Sequence, residues 1–217
     1  MHLKKQAISL LTVISILGCG AISAFAKEWP VPASTVINQY FNGSDHKGLD
    51  IRASTKGIAG DKIVAAYDGK VVNAGYHQSK RAGGSYGWLV VIDHTIKGKE
   101  IQTWYAHLDK APVVDKGDLV DEGDKIGVMG NSGDSKGVHL HFEMRKGSGF
   151  NFDNTPVDPL DYFTEYRPPN YLLPQSSNDI EIGDTLDSNS EDYTFYSMEE
   201  INAMTPEQRI ELGIPLE

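Results

Sequence analysis

Two short stretches of this chain carry side chains that commonly bind metal ions. His139 and His141 lie in segment 138–145, where apolar residues occupy the even positions and polar residues the odd ones. Such alternation predicts a β-strand, from which both imidazoles project on one face. His46 and Asp50 form an H-x-x-x-D spacing, and positions four apart also share a face of a strand. Each stretch can therefore direct two ligating side chains to one place.

Histidine and aspartate together form a ligand set that suits zinc. His46, Asp50 and one imidazole of the H-x-H pair would leave the fourth tetrahedral position to water, which is typical of catalytic zinc sites. Asp50 would be the only anionic ligand, so the centre would keep a net positive charge. A zinc hydrolase also needs a proton acceptor, and the chain has no H-E-x-x-H helix to supply one. His107 and the unligated imidazole of the pair are the available bases.

The elements that must position these side chains are predicted to be β-strands. Across residues 27–167, short apolar runs alternate with Gly, Asp and Asn, without a convincing helical period. Segment 88–92 is a continuous apolar run, which predicts a strand covered on both faces. Asp68 and Gly69 separate two further runs and predict a hairpin between them. The sequence therefore predicts an all-β domain of antiparallel sheets over residues 27–167.

Residues 1–26 have the pattern of a secretory signal peptide. Two lysines precede an apolar run over residues 7–18, and a small-x-small site ends at Ala26. We therefore expect a periplasmic or secreted mature chain without a membrane span. The only cysteine, Cys19, lies in this segment, so disulfide scaffolds and multi-cysteine metal sites are excluded. Lipoprotein anchoring through Cys19 and an uncleaved anchor are the alternatives.

The net charge of −10 is concentrated in segment 168–217. That segment holds 11 acidic residues and one basic residue, which leaves 19 of each sign elsewhere. Because no basic excess remains, a nucleic-acid partner is not expected. Residues 175–192 are rich in Ser, Asn and Asp, and Thr205-Pro206 is typical of a helix start. We expect a flexible acidic tail with a short helix over 205–213, which could fold over a positive metal centre and restrain activity.

Several spaced motifs together resemble the lysostaphin-type zinc endopeptidases, the LytM-like M23 family of peptidoglycan hydrolases. The resemblance runs in order over roughly residues 35–162. The motifs occupy residues 46–50, 105–108, 116–118, 123–127, 130–133 and 139–143. The resemblance implies antiparallel sheets that form a groove, and hydrolysis of peptide bonds in peptidoglycan stem or cross-bridge peptides.

The same resemblance implies a role for each site residue. One zinc ion per chain would be bound by three residues: His46, Asp50 and His141. His107 and His139 would be the unligated pair that deprotonates the attacking water and stabilises the transition state. Tyr40, six residues before His46, stands where the family often has a tyrosine whose hydroxyl bonds the oxyanion. A packing role for the Tyr40 ring is the alternative.

Two other classes of protein are compatible with parts of the sequence. The segments 116–120 and 123–127 also resemble hairpins of biotinyl and lipoyl carrier domains, which need a modifiable lysine, typically beside a methionine. Here Met129 is flanked by Val128 and Gly130 instead. A non-catalytic regulator that binds a cell-wall amidase or a wall peptide is the other class. Relatives of that kind usually lack one or more ligands, whereas all are present here.

Three further polar residues are expected to play lesser roles. His94 follows a predicted strand and should be structural. His77 lies in a Gly-, Ser- and basic-rich stretch that we expect to line the substrate groove. Glu143 follows the H-x-H pair. It could orient a neighbouring group by a hydrogen bond, but we expect it to be exposed on its strand.

Overall fold

The computed structural model describes residues 27–79, 84–169, 171 and 193–216. Strands dominate these residues, which confirms the predicted all-β class. The strands are β1 (Ile37–Gln39), β2 (Leu49–Arg52), β3 (Lys62–Val64), β4 (Gly69–Ser79), β5 (Gly87–Ile96), β6 (Lys99–Leu108), β7 (Leu119–Val120), β8 (Lys125–Val128), β9 (His139–Lys146), β10 (Thr155–Val157) and β11 (Tyr193–Ser197). Two short α-helices follow, α1 (Met198–Ala203) and α2 (Pro206–Glu211), and two 3-10 turns lie at Pro159–Asp161 and Thr164–Tyr166.

Nine of these strands form one antiparallel sheet. Its main order is β1-β2-β9-β6-β5-β4-β11, with β10 added to β9 and β7 added to β4. The long neighbours β4, β5, β6 and β9 form its centre, so β9 reaches β2 on one side and β6 on the other. The strand that carries the H-x-H pair therefore lies inside the sheet, where both its edges are hydrogen-bonded.

The predicted hairpin around Asp68 and Gly69 is wrong. Strand β3 pairs with β8 in a separate two-stranded sheet, and β4 pairs with β5. The backbone that follows β3 is bonded elsewhere, because Ala65 N–H donates to the carbonyl of Asp124 and Ala66 N–H donates to the hydroxyl of Tyr105. The Asp-Gly signal is local, and partners distant in sequence took the hydrogen bonds that a hairpin would need.

Both faces of the central sheet are covered. Leu140, Phe142 and Met144 are fully buried in the main core, as the alternation in segment 138–145 predicted. The opposite face carries a second cluster, formed by Leu89, Val91, Trp104 and Ala106 with Phe150 and Phe152 packed over it. Residues 88–92 are all buried, so the prediction of a strand covered on both faces is confirmed.

The described part of the acidic C-terminal segment packs on the sheet. Strand β11 pairs with β4, and Ile201 and Ile214 are buried in the main core. The predicted helix over 205–213 is present as α2, with Thr205 as its N-cap and Pro206 in its first turn. Strand β11 and helix α1 were not predicted. The expected signal peptide (residues 1–26) and the Ser-, Asn- and Asp-rich stretch (residues 175–192) lie outside the described residues, so both stay predictions.

None of the helices among the described residues is long and apolar enough to cross a membrane.

Gly75 should control whether the C-terminal segment stays docked. A Cβ atom at this position would lie 2.2 Å from the carbonyl oxygen of Tyr196 and 2.7 Å from the ring of Phe195, so β11 would have to move. We expect Gly75→Ala to weaken the β4–β11 pairing by about 1–3 kcal/mol. Hydrogen exchange of the amides in Tyr193–Ser197 should accelerate by about tenfold or more.

Gly137→Ala provides the matched control for this experiment. A Cβ at Gly137 meets no atom within 4 Å, and its φ is not positive. Exchange in β11 should therefore match that of the unmodified protein. Equal protection of β11 in the Gly75→Ala and Gly137→Ala proteins would contradict the packing described for this edge.

Candidate metal centre

The pairing of β2 with β9 brings the two histidine-containing stretches together. Asp50 lies directly opposite His141 in this register, so both side chains project from the same face of the sheet. Gly48 allows the close approach, because a Cβ there would lie 2.3 Å from the carbonyl oxygen of Phe142. The predicted proximity of His46, Asp50 and His141 is therefore realised by strand register.

The loop before β2 holds His46 against this pair. The side-chain oxygen of Asn42 accepts backbone N–H bonds from Ser44, Asp45 and His46, at 2.9 to 3.1 Å. The Asn42 N–H in turn donates to the carbonyl of His46, which closes the loop. An asparagine that satisfies three amides fixes a turn of this kind, so His46 enters the site on a rigid backbone.

Three ligand atoms converge at the centre of the site. His46 Nδ1 donates to the carbonyl of Tyr40 at 2.9 Å, which leaves its Nε2 2.9 Å from Asp50 Oδ1. His141 Nε2 donates to Glu143 Oε1 at 2.9 Å, which leaves its Nδ1 2.8 Å from the same Asp50 oxygen. One ligand atom from each of His46, Asp50 and His141 lies within 4.8 Å of the other two. Two imidazole lone pairs directed at one carboxylate oxygen would repel it, so a proton on a ring or a metal ion between the atoms must hold the three together.

The two carboxylates of the site, Asp50 and Glu143, also favour a positive charge at His141. Burial alone would lower the pKa of His141, but its hydrogen bonds to Asp50 and Glu143 raise that pKa to about 9. Burial alone would raise the pKa of Asp50, but hydrogen bonds from His141 and His46 hold it well below its ordinary value. A proton on His141 therefore satisfies the two carboxylates, and a metal ion bound by the same atoms would satisfy them in its place.

His107 and His139 flank this cluster with matching orientations. His107 Nδ1 donates to the carbonyl of Ser132 at 2.7 Å, and His139 Nδ1 donates to the carbonyl of Gly137 at 2.7 Å. Since a carbonyl can only accept, each neutral ring keeps its lone pair on Nε2. Their ring centroids are 5.0 Å apart, and His139 Nε2 lies 3.5 Å from Asp50 Oδ1. The pair therefore offers two proton-accepting nitrogens beside the candidate ligands.

The backbone of His107 is held in a conformation that non-glycine residues rarely adopt. Its φ is 61°, in the left-handed region. Its N–H donates to the carbonyl of Tyr86 and its own carbonyl accepts from Gly130 N–H, so both neighbours fix it. Burial, followed by the positive charges of His141 and His139, lowers the pKa of His107 to about 4. The ring is therefore neutral at pH 7 and able to accept a proton.

A buried network behind His141 was missed from the sequence. Glu143 is fully buried, so the expectation that it would be exposed is wrong. Its Oε1 accepts from the hydroxyl of Tyr86 at 2.7 Å as well as from His141, and its Oε2 accepts from Arg145 Nε at 2.6 Å. The guanidinium of Arg145 lies 4.1 Å from the ring centroid of Trp104. The sequence did indicate which face these residues occupy, because the alternation that places His139 and His141 on one face also places Glu143 and Arg145 there.

The remaining predicted residues lie away from the ligand cluster. The ring of Tyr40 packs against that of Tyr171, with 5.3 Å between centroids, and Tyr40 meets the site through its carbonyl. The role of its hydroxyl stays a prediction. His94 is buried and bonds the Asp68 carbonyl and the Thr103 hydroxyl, a structural arrangement as expected. His77 is fully buried in β4, where its Nδ1 accepts from Tyr86 N–H, so its expected place in the groove lining is wrong.

All five histidine and aspartate side chains of the site line one open cavity of about 1060 Å³. Loop residues 45–47, 56–57, 134–138 and 150–153 form its walls. A cavity of this volume is in the range of, or larger than, those that bind small ligands.

Comparison with known proteins agrees with this geometry. The sequence profile of peptidase family M23 matches residues 44–159. An uncharacterised metalloprotease of Haemophilus influenzae is 37% identical over 115 residues, which cover 53% of this chain and 20% of that protein. The murein hydrolase activator NlpD of Salmonella typhimurium is 34% identical over 140 residues, which cover 64% of this chain and 32% of that protein. The chain thus spans about a fifth to a third of the length of these relatives.

One solved structure supports the fold. The solution structure of lysostaphin, a peptidase from Staphylococcus simulans, superposes with a TM-score of 0.51 at 22% identity. The superposition covers 69% of this chain and 59% of lysostaphin. The antiparallel architecture predicted from the sequence is therefore a known one.

The Glu143–Arg145 pair should contribute strongly to stability. Glu143→Gln keeps the shape of the side chain but leaves the buried Arg145 cation without a counter-charge. Breaking a buried ion pair in this way typically costs about 3–5 kcal/mol, and we expect that loss in the free energy of unfolding from urea titrations. Asp161→Asn removes the carboxylate of the exposed pair with Arg167 and should cost less than about 1 kcal/mol. Equal effects of the two substitutions would show that Glu143 is not the buried counter-charge.

Proposed function

We propose that this chain, which belongs to peptidase family M23, is an exported zinc endopeptidase that hydrolyses peptide bonds of peptidoglycan. The observation that carries the proposal is the convergence of His46 Nε2 and His141 Nδ1 on one oxygen of Asp50. That arrangement is favourable with a metal ion between the three atoms, and it opens into a cavity of about 1060 Å³.

Zinc is the cation that best fits the donor set. Two imidazole nitrogens and one carboxylate oxygen are its usual ligands in catalytic sites, and His141 is oriented by Glu143 as metal-bound histidines usually are by a carboxylate. His46, Asp50 and His141 would hold one zinc ion per chain. When bound, zinc would polarise the scissile carbonyl and lower the pKa of water to about 7.

His107 and His139 would carry the protons of the reaction. Each ring is anchored through Nδ1 on a backbone carbonyl, so each can accept a proton at Nε2 from the attacking water. The same ring can then donate that proton to the departing amine. Once protonated, the rings would also stabilise the negative charge that develops on the carbonyl oxygen of the substrate. The lowered pKa of His107 keeps its ring neutral at pH 7, so that its Nε2 is unprotonated before the reaction.

Peptidoglycan is proposed as the substrate because of the relatives and the expected location of the chain. A murein hydrolase activator is 34% identical to this chain, and residues 1–26 have the pattern of an export signal. The neutral balance of charges outside the acidic tail gives no reason to expect a nucleic-acid partner.

A non-catalytic role is the second candidate, since the Salmonella relative is named as an activator rather than as a hydrolase. Such a module would use the cavity to bind a wall peptide or a cell-wall amidase. The presence of three convergent candidate ligand atoms and of two neighbouring imidazoles, His107 and His139, favours the enzyme, because a binding surface needs neither. Zinc content and turnover together distinguish the two.

The first test measures zinc content and digestion of purified sacculi in the same preparations. The unmodified protein should hold about one zinc ion per chain and release peptide products that disappear when a chelator is present. Replacing His46, Asp50 or His141 by Ala should reduce bound zinc and abolish product release. Normal hydrolysis by the His141→Ala protein would refute the ligand assignment. Sacculi left intact by a zinc-loaded protein would favour the non-catalytic role.

The second test separates the bases from the ligands. His107→Ala and His139→Ala should each retain about one zinc ion per chain while turnover falls by about 10²–10⁴-fold, the usual contribution of a general acid or base. These proteins are matched controls for His141→Ala, because all three lose an imidazole from the same cavity. Zinc loss in His107→Ala, or full turnover in either protein, would overturn the assigned roles.

A further inference from the structure

One arginine in the cavity is used by none of the interactions described so far. Arg52 ends β2, two residues beyond Asp50, so the two side chains share a face of the strand. In the β2–β9 register Arg52 lies opposite His139. The guanidinium therefore lines the cavity beside the candidate ligands and one of the candidate bases.

Arg52 differs from the other arginines that the structure describes in that no atom of its side chain has an acceptor, whereas Arg167, whose Nε is also buried and unpaired, bonds Asp161 through another nitrogen. Arg145, Arg167 and Arg209 each donate to a carboxylate or a carbonyl. Within the described residues, the Arg52 side chain has no hydrogen-bond acceptor, and its Nε is buried. A buried donor without an acceptor is unfavourable, and a guanidinium next to a cationic centre adds like-charge repulsion.

An anion bound between Arg52 and the metal centre would remove both costs. Five carboxylates line the cavity, and none of them is hydrogen-bonded to Arg52 within the described residues: Asp45, Asp50, Asp134, Glu143 and Asp153. The planar guanidinium matches a carboxylate through two parallel hydrogen bonds. We infer, on the basis of the proposed function, that Arg52 binds a free carboxylate of the peptide substrate and so selects for acidic peptides.

The geometry also limits where that carboxylate lies in the substrate. Residues two apart on a strand are separated by about 6.6 Å. An extended peptide over the ligand cluster advances by about 3.3–3.6 Å per residue. The recognised carboxylate therefore lies within about two residues of the bond that is cleaved. In a stem peptide, the α-carboxylate of glutamate and the free carboxylate of diaminopimelate are two groups of this kind, and a polyglycine bridge has neither. The C-terminal carboxylate is a third such group, so the C-terminus is amidated in every peptide of the experiment.

The experiment uses four versions of one cross-linked stem peptide: both carboxylates free, the glutamate amidated, the diaminopimelate amidated, and both amidated. The full-length zinc-loaded protein is compared with Arg52→Ala and Arg52→Lys by calorimetric binding and by kcat/KM from product masses. Lys99→Ala removes the same charge at the far end of the β5–β6 hairpin and serves as the control.

The unmodified protein should bind and cleave the free peptide about 10- to 100-fold better than the version amidated at one of the two positions, as expected for a charge-assisted hydrogen bond. Arg52→Ala should reduce that ratio to near one, Arg52→Lys should retain part of it, and Lys99→Ala should retain it fully. The ligand-free Arg52→Ala protein should unfold at a temperature no lower than that of the unmodified protein, because the side chain has no hydrogen-bond partner among the described residues to lose.

Two results would overturn the inference. One is equal binding of all four peptides by the unmodified protein; the other is a preserved carboxylate preference in Arg52→Ala. Cleavage without any carboxylate preference would reject the role of Arg52 and leave the proposed endopeptidase standing. A carboxylate preference in binding without cleavage of any peptide would support the role of Arg52 and reject the endopeptidase.

Discussion

The site depends on the register between β2 and β9. A shift of one residue would turn Asp50 into the core and place Leu49 or Ile51 opposite the imidazoles, because side chains alternate between the faces of a strand. The register is secured by the buried set Leu49, Ile51, Leu140 and Phe142, which would lose its place in the core if the strands slipped. The packing of an apolar face thus fixes the geometry of the polar face behind it.

The polar face is itself buried, which is unusual for a strand with charged residues. Glu143 and Arg145 are fully inaccessible, and their mutual attraction offsets the loss of hydration that burial brings to each. The buried pair fixes the orientation of the His141 ring. Glu143 accepts a hydrogen bond from Nε2–H of His141, so Nδ1 of that ring faces Asp50. The network is therefore a rigid support for one ligand rather than a second reactive site.

The C-terminal segment lies beyond the part of the chain that matches the family profile, yet it contacts the wall of the cavity. Strand β11 extends the sheet past β4, and the ring of Phe195 lies 5.4 Å from that of Phe150, which lines the cavity. The described part of the acidic tail is thus docked at the sheet edge through apolar contacts, and its buried anchors are Ile201 and Ile214. Its acidic side chains are left facing outward on α1 and α2.

The sequence by itself determined the features that a few neighbouring residues encode. Period-two alternation identified the strand of His139 and His141, and a threonine followed by a proline identified the start of α2. The tertiary structure alone decided the pairing of β3 with β8, the burial of Glu143, and the left-handed backbone of His107. Each of these features depends on contacts with residues distant in the chain. The free energy of those contacts depends on how the strands and loops pack against one another. Local sequence patterns do not encode these distant contacts. The sequence therefore predicted the types of the candidate ligands, but not the buried network and backbone contacts that orient them.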